Sequence, residues 1–195
     1  MKITVIIPVY NQEQLVIRAI DSVPTDCELI VIDDGSTDDT WENLLQAREE
    51  REFILLYNKS NKGVASAVNK GLDAATGDYI VLLGSDDYFI TENFAKAVGQ
   101  IDGEDMVYFD LEVNSGERWE LTQKTKRMFC GATKFMRREF VADTRAPEDV
   151  RIGSDWFFYI DLEKKNPTEK YTGIVVTHYN WPRENSLRWQ ARDKK

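Results

Sequence analysis

The chain has 195 residues and a formal net charge of −9, enough length for one substantial core and little for two, so residues 1–195 read as one domain. The acidic balance argues against a surface built to neutralise the phosphates of nucleic acid. No charged-then-apolar leader opens the sequence and no apolar run reaches bilayer length, so a soluble, cytoplasmic protein is expected.

In chain order, Ile3 to Tyr10 is a β-branched, almost wholly apolar run, as expected of a strand covered on both faces. Pro8, lacking an N–H, is expected to mark its end. Asn11 then caps a helix through Ser22, with Leu15, Ile20 and Val23 at helical spacing. A second buried strand, Glu28 to Asp33, leads through Asp34-Gly35-Ser36-Thr37 into a helix from about Asp38 to Arg48, then a third strand, Phe53 to Tyr57. This βαβαβ order predicts a parallel sheet with right-handed crossovers. Ligands bind such sheets at the carboxyl ends of the strands, so Asn11, Asp33 and Asp34 are expected in one crevice.

A helix follows over Lys62 to Ala75, with Gly77 read as its C-cap glycine, and then a strand, Asp78 to Leu83, that ends in Gly84-Ser85-Asp86-Asp87. Thr91 and Asn93 open a helix to about Ile101. Met106 to Val113 and Arg118 to Gln123 read as strands of a hairpin around Asn114-Ser115-Gly116. Phe135 to Ala142 has no clear type, Ser154 to Lys164 reads as a helix and Gly173 to Tyr179 as a strand. Cys27 and Cys130 form no ligand or disulfide framework and read as reduced thiols. The basic end, Arg183 to Lys195 with Trp181 and Trp189 nearby, reads as a solvated tail, with an anion or membrane-surface patch as the alternative.

Six acids, Asp33, Asp34, Asp38, Asp39, Asp86 and Asp87, fall in predicted turns rather than on a helix face. Such crowding needs hydrogen bonds or a cation. Asp86 and Asp87 suit either a capped turn or a Mg²⁺ or Mn²⁺ site able to neutralise a diphosphate. Asp33-Asp34-Gly35-Ser36 suits a turn or contacts to a base or ribose. Asn61-Lys62-Gly63, at a helix start, suits an anion. Asp155 is either an acid favoured by the helix dipole or a general base. His178, the single histidine, is either structural or a metal ligand or acid/base. Trp156, Phe157, Phe158 and Tyr159 read mainly as core, with one available to stack on a sugar.

Together these segments resemble glycosyltransferase family 2 enzymes of the GT-A fold. The likeness rests on Ile6-Ile-Pro-Val-Tyr-Asn11, Val31-Ile-Asp-Asp-Gly-Ser-Thr-Asp38, Asn61-Lys62-Gly63 with Ala67 and Asn69, Gly77-Asp78-Tyr79-Ile80 leading into Gly84-Ser85-Asp86-Asp87, and Phe135-Met136-Arg137-Arg138. It implies an α/β fold with a Rossmann-like, mostly parallel central sheet flanked by helices, a nucleotide-sugar-binding half over 1–100 and a small acceptor-side half over 101–195. The implied reaction is metal-dependent, inverting transfer of a hexosyl or N-acetylhexosaminyl group from a nucleotide sugar, expected to be a UDP-sugar, to a glycan or lipid-linked acceptor. By position, Pro8, Val9, Tyr10 and Asp34 would hold the base and Lys62 would lie near base or phosphate. Asn11 and Ser85 complete the donor site. Asp86, with Asp87 and His178, would serve Mg²⁺ or Mn²⁺, and Asp155 would be the base.

Two departures stand out. Gly84 occupies the place of the first acid of the family's Asp-X-Asp motif, and Ser154 that of the Glu before the base. They motivate a rival reading, a non-catalytic protein that binds a nucleotide sugar or a partner. A sugar nucleotidyltransferase finds no support, since no Gly-X-Gly loop follows the first strand. Peripheral contact with the inner face of the membrane is left open.

Overall fold

The computed structural model describes residues 1–126, 132–150 and 153–182; Cys130 and the basic run from Arg183 lie outside the described residues. Four parallel strands, β1 (Ile3–Val9), β2 (Glu28–Asp33), β3 (Ile54–Tyr57) and β4 (Tyr79–Leu82), are linked by helices α1 (Val16–Ser22), α2 (Thr40–Glu50) and α3 (Val64–Ala74). Their register aligns Val9, Asp33 and Tyr57 across one edge of the sheet, with Leu82 paired to Ile6 beside them. The carboxyl ends of all four strands therefore open on one rim.

The second half contributes β5 (Tyr88–Phe89), α4 (Thr91–Val98), β6 (Met106–Val113), β7 (Arg118–Trp119), β8 (Lys134–Arg137), α5 (Arg138–Val141), α6 (Ser154–Glu163) and β9 (Glu169–Tyr179). The strand order is β3-β2-β1-β4-β8-β6-β9-β5, with β7 on β6. The continuous parallel run is formed by the first four strands. Beyond them β8 runs antiparallel to β4 and β6, whereas β9 is parallel to β6. The hairpin around Asn114-Ser115-Gly116 forms, but its second strand is only Arg118–Trp119. The stretch without clear type over Phe135 to Ala142 is a strand end followed by a one-turn helix, and β9 begins earlier than the sequence suggested, at Glu169.

Strand alternation sorts the core into two layers. Val5, Ile7, Leu29, Val31, Val81, Val107 and Phe109 pack on the side of α1, α2 and α4. Ile6, Ile30, Ile32, Ile80, Leu82, Met106 and Tyr108 pack on the side of α3 and α6. Each such fully buried aliphatic side chain stabilises the fold by about 1.5–3 kcal/mol.

Three local expectations are corrected. Pro8 does not end β1, which continues to Val9. The Ile6 carbonyl accepts from Leu83 and the Val9 carbonyl from Asp34, so residues 6 and 8 face β4. The missing N–H of Pro8 therefore points past the end of β4, where no ladder bond is lost. Asn11 does not cap α1, whose N-cap is Leu15; with φ at 51°, Asn11 turns instead to the 36–37 loop. Gly77 is not a C-cap glycine, because α3 ends at Ala74. A Cβ at Gly77 would lie 2.6 Å from Thr4 Oγ1 and 2.9 Å from the Lys2 carbonyl, so close backbone approach is what requires glycine there.

At the opposite rim, Glu28 accepts from Lys2 Nζ at 2.8 Å, Thr4 Oγ1 at 2.6 Å and the Thr76 N–H at 2.7 Å, as well as from the Thr76 hydroxyl. Burial alone would raise its pKa, but these donors together hold the carboxyl at about 2, against an ordinary 4.5. The stabilisation is complete above the unfolded value and is lost as pH falls from about 4.5 toward about 2. We expect Glu28→Gln to lower stability at neutral pH by about 2 kcal/mol, and the deficit in urea denaturation to shrink steadily as pH falls through that window.

Candidate active site

Each rim position is supplied by the residues that follow a strand. The Tyr10 ring, after β1, is two-fifths exposed. Asn11 beside it accepts the Thr37 N–H at 2.8 Å and donates its own N–H to Ser36 Oγ at 3.0 Å, fastening the first loop to the second. Pro8 is half-buried and Val9 buried.

Asp34, 2% exposed, lies at the junction of three segments. Its carboxylate accepts Asn58 Nδ2 at 2.7 Å, the Lys62 N–H at 3.0 Å and the Gly63 N–H at 2.7 Å. Three donors on one buried carboxylate satisfy the need of a desolvated charge for hydrogen bonds. They also pin the approach to α3, which starts at Val64 rather than at Lys62, with Gly63 at φ 96° as its N-cap. The Lys62 side chain stays exposed, and its ammonium has no partner among the described residues. Tyr10, Asp34 and Lys62 are brought to one part of the rim. Asp33 is not. Its side chain continues the alternation of Leu29 and Val31 toward α2, where Oδ1 accepts the N–H and hydroxyl of Ser36 at 3.1 and 2.5 Å.

After β4 the chain turns sharply, with the Asp87 N–H donating to the Gly84 carbonyl at 3.1 Å. A Cβ on Gly84 would fall 2.5 Å from Asp87 Oδ2 and 3.2 Å from Asp86 Oδ1. The missing side chain is thus the space into which both carboxylates fold. Ser85 and Asp87 are buried, and Asp86 is half-buried. Asp87 Oδ1 accepts the N–H of Asn180 at 2.8 Å, tying this loop to the end of β9. Arg18 of α1 donates to the Asp86 carbonyl at 2.8 Å while its guanidinium lies 4.6 Å from the centre of the Tyr88 ring.

The His178 ring stacks on Tyr88 at 4.6 Å, one residue beyond Asp87. Its Nδ1 lies 3.2 Å from Glu112 Oε1 and its Nε2 3.1 Å from Asn114 Oδ1. Both ring nitrogens thus have partners on β6 and the turn after it, Glu112 and Asn114. Among the described residues no three His, Cys, Asp or Glu side chains converge as a ligand set. The donor chemistry still suits Mg²⁺ or Mn²⁺, which need only one or two carboxylates when phosphate oxygens and water complete the shell.

Asp155 is half-buried in the first turn of α6. Ser154 before it is fully buried, Phe158 and Tyr159 enter the core, and Trp156 and Phe157 stay about two-fifths exposed. Beneath α6 a buried lysine, Lys134, places its ammonium 3.3 Å from the centre of the Tyr159 ring. Neither Arg18, Asn180 nor Lys134 stood out in the sequence. Arg18 sits in a segment that reads as ordinary helix, Lys134 precedes a stretch without clear type, and Asn180 acts through its backbone. Cys27 is inert, because burial pushes its thiol up to about 12.

A family model described as "Glycosyl transferase family 2" matches residues 4–165. A PGL/p-HBAD biosynthesis glycosyltransferase of Mycobacterium bovis is 30% identical over 197 residues, covering 91% of this chain and 76% of that protein. An uncharacterized glycosyltransferase of Rickettsia conorii is 45% identical over 185 residues, or 85% of this chain and 30% of that one. In fold, the chain is similar to S. aureus TarS 1–349 in complex with UDP-GlcNAc, at a TM-score of 0.83 and 23% identity. It is also similar to the mannosyltransferase PcManGT from Pyrobaculum calidifontis in complex with GDP-Man and Mn²⁺, at 0.76 and 21%. These superpositions cover 95% and 98% of this chain, which spans 60% of each of the two structures.

Removing the Asp34 carboxylate leaves three donors facing a desolvated site. We expect Asp34→Ala to cost about 2 kcal/mol of stability, read from the midpoint of urea unfolding, and amide exchange at Lys62 and Gly63 to accelerate.

Proposed function

Because this chain belongs to glycosyl transferase family 2, we propose that it transfers a sugar from a nucleotide-sugar donor to an acceptor hydroxyl, with inversion at the anomeric carbon. The observation that carries this reading is the sharing of one sheet rim by Tyr10, Asp34 with Lys62, and the Asp86-Asp87 turn. Tyr10 offers a ring face to a base. Pro8 and Val9 end the strand that leads to Tyr10 and Asn11 follows it, Lys62 offers the cation for a phosphate, and Ser85 lies in the turn with Asp86 and Asp87.

Asp86, assisted by Asp87, would hold Mg²⁺ or Mn²⁺. Such an ion supplies charge stabilisation to the departing diphosphate. The chain's own part is proton transfer. Asp155 takes the proton of the acceptor hydroxyl as its oxygen bonds to the anomeric carbon and the bond from that carbon to the diphosphate breaks. The UDP and UDP-GlcNAc complexes of TarS favour a UDP-sugar donor, and the Mn²⁺ of PcManGT favours a divalent metal. A glycan or lipid-linked acceptor, a donor half over 1–100, an acceptor half over 101–195 and a cytoplasmic location with peripheral membrane contact belong to the same proposal. No helix among the described residues is long and apolar enough to cross a membrane.

The test is binding and turnover with a panel of nucleotide sugars, each with Mn²⁺, Mg²⁺ or EDTA. We expect metal-dependent binding of a UDP-sugar and release of UDP when acceptor is supplied. Asp155→Asn should cut turnover by about 10²–10⁴-fold with donor affinity unchanged, and Asp86→Ala should abolish the gain from metal. Equal turnover by wild type and Asp155→Asn would remove Asp155 from the base role. Binding without release, in the presence of acceptor, would favour the non-catalytic alternative suggested by Gly84 and Ser154.

A further inference from the structure

The side chains of Asp33 and Asp34 diverge at the end of β2, and beside Asp33 lies a cleft that the proposed transfer reaction does not use, joined to Asp34 through Asn58, which lines the cleft and bonds the Asp34 carboxylate. This open cleft of about 560 Å³ lies between the 35–38 loop, the first turn of α2 and the end of β3. Its floor holds two buried polar side chains, Asp33 at 4% and Asn58 at 5% exposure. Asp33 spends Oδ1 on Ser36, and Oδ2 has no partner among the described residues. Asn58 spends Nδ2 on Asp34, a carboxylate that fixes which end of the amide is nitrogen, and leaves Oδ1 without a partner among the described residues. Buried acceptors left unmatched are costly, so this floor calls for donors from a ligand or from water.

The wall is aromatic. Trp41 and Tyr57 meet edge to face with ring centres 5.6 Å apart, and Tyr57 is 55% exposed. The charge balance of the lining is acidic, with Asp33, Asp38 and Glu42 against Lys59. That balance disfavours a phosphate or nucleotide. A bare cation is disfavoured as well, because Asp38 is already bonded to Thr40 and to the Glu13 N–H. Unsatisfied acceptors below an aromatic wall suit a neutral, polyhydroxylated ring, whose hydroxyls donate downward while its C–H face lies on the rings.

We propose that this cleft, on the α2 face, binds a saccharide ring, with hydroxyls donated to Asp33 Oδ2 and Asn58 Oδ1 and the ring face on Trp41 and Tyr57. It does so independently of the donor. A glycan is the intended source; the alternative source of the same chemistry is the sugar or ribose of the nucleotide sugar itself. Ser36 and Thr37 of the lining also hold Asn11, and Asn58 holds Asp34, so the cleft adjoins the proposed donor site and a competition experiment with UDP is needed to separate the two.

The test is titration of the ¹⁵N-labelled protein with free hexoses, N-acetylhexosamines and their short oligomers, following the Trp41 indole N–H assigned with Trp41→Phe. We expect at least one saccharide to shift this signal saturably and Tyr57→Ala to weaken that binding about tenfold. Saturating UDP should leave the saccharide affinity unchanged, and UDP affinity should be equal in wild type and Tyr57→Ala. Displacement of the saccharide by UDP would assign the cleft to the donor and overturn the proposal. So would a Trp41 shift produced by Mg²⁺ or Ca²⁺ alone, no response to any saccharide, or equal affinity in Tyr57→Ala with its fold intact by circular dichroism. Binding is read without turnover, so failure here and failure of the transferase reading are separate results.

Discussion

A buried carboxylate must find donors or lose its charge, and Asp34 finds three, all from the segment that follows β3. That requirement draws the path from Tyr57 to Val64 over the end of β2 and fixes where α3 begins. The Asp34 N–H in turn is held by the Val9 carbonyl at 2.8 Å, so the first three strand ends are locked through a single residue. Tyr10 and the Lys62 backbone then sit on a rigid frame, from which the exposed Lys62 side chain extends. In this arrangement the precision of the rim comes from backbone groups rather than from long side chains with entropy to lose.

The turn after β4 is organised by a different logic. Gly84 has no side chain, and the space that a Cβ would take is used by the carboxylates of Asp86 and Asp87. The turn is held from both sides. Arg18 grips the Asp86 carbonyl from α1, and Asn180 grips the Asp87 carboxylate from beyond β9. Tyr88, between the Arg18 guanidinium and the His178 ring, links these two supports. The histidine contributes through packing on Tyr88 and through its bonds to Glu112 and Asn114.

The first half was legible because apolar periodicity and turn chemistry agree there, with continuous β-branched runs, acids at their ends and helices between. Pro8 misled because proline is read as a strand breaker, while the cost of its missing N–H depends on whether a neighbouring strand continues. By residue type Asn11 and Gly77 suit helix caps, yet tertiary contacts with Ser36, Thr37 and Thr4 decide both. The strand at Lys134–Arg137 was hidden because it mixes charge with apolar residues and buries the lysine through aromatic contact. The separation of Asp33 from Asp34 was implicit in strand alternation, but crowding of acids drew attention to their shared rim instead of their opposite faces.

That separation constrains how this surface can diversify. An insertion or deletion of one residue between Val31 and Asp34 would exchange the two carboxylates across the sheet, stranding the Asn58, Lys62 and Gly63 donors on one side and Ser36 on the other. Substitution, by contrast, can act on one face and leave the other alone. Length variation should accordingly be excluded from this short stretch and accumulate at exposed turns such as Asn114-Ser115-Gly116, while the two faces of the α2 and α3 layers drift in sequence independently of each other.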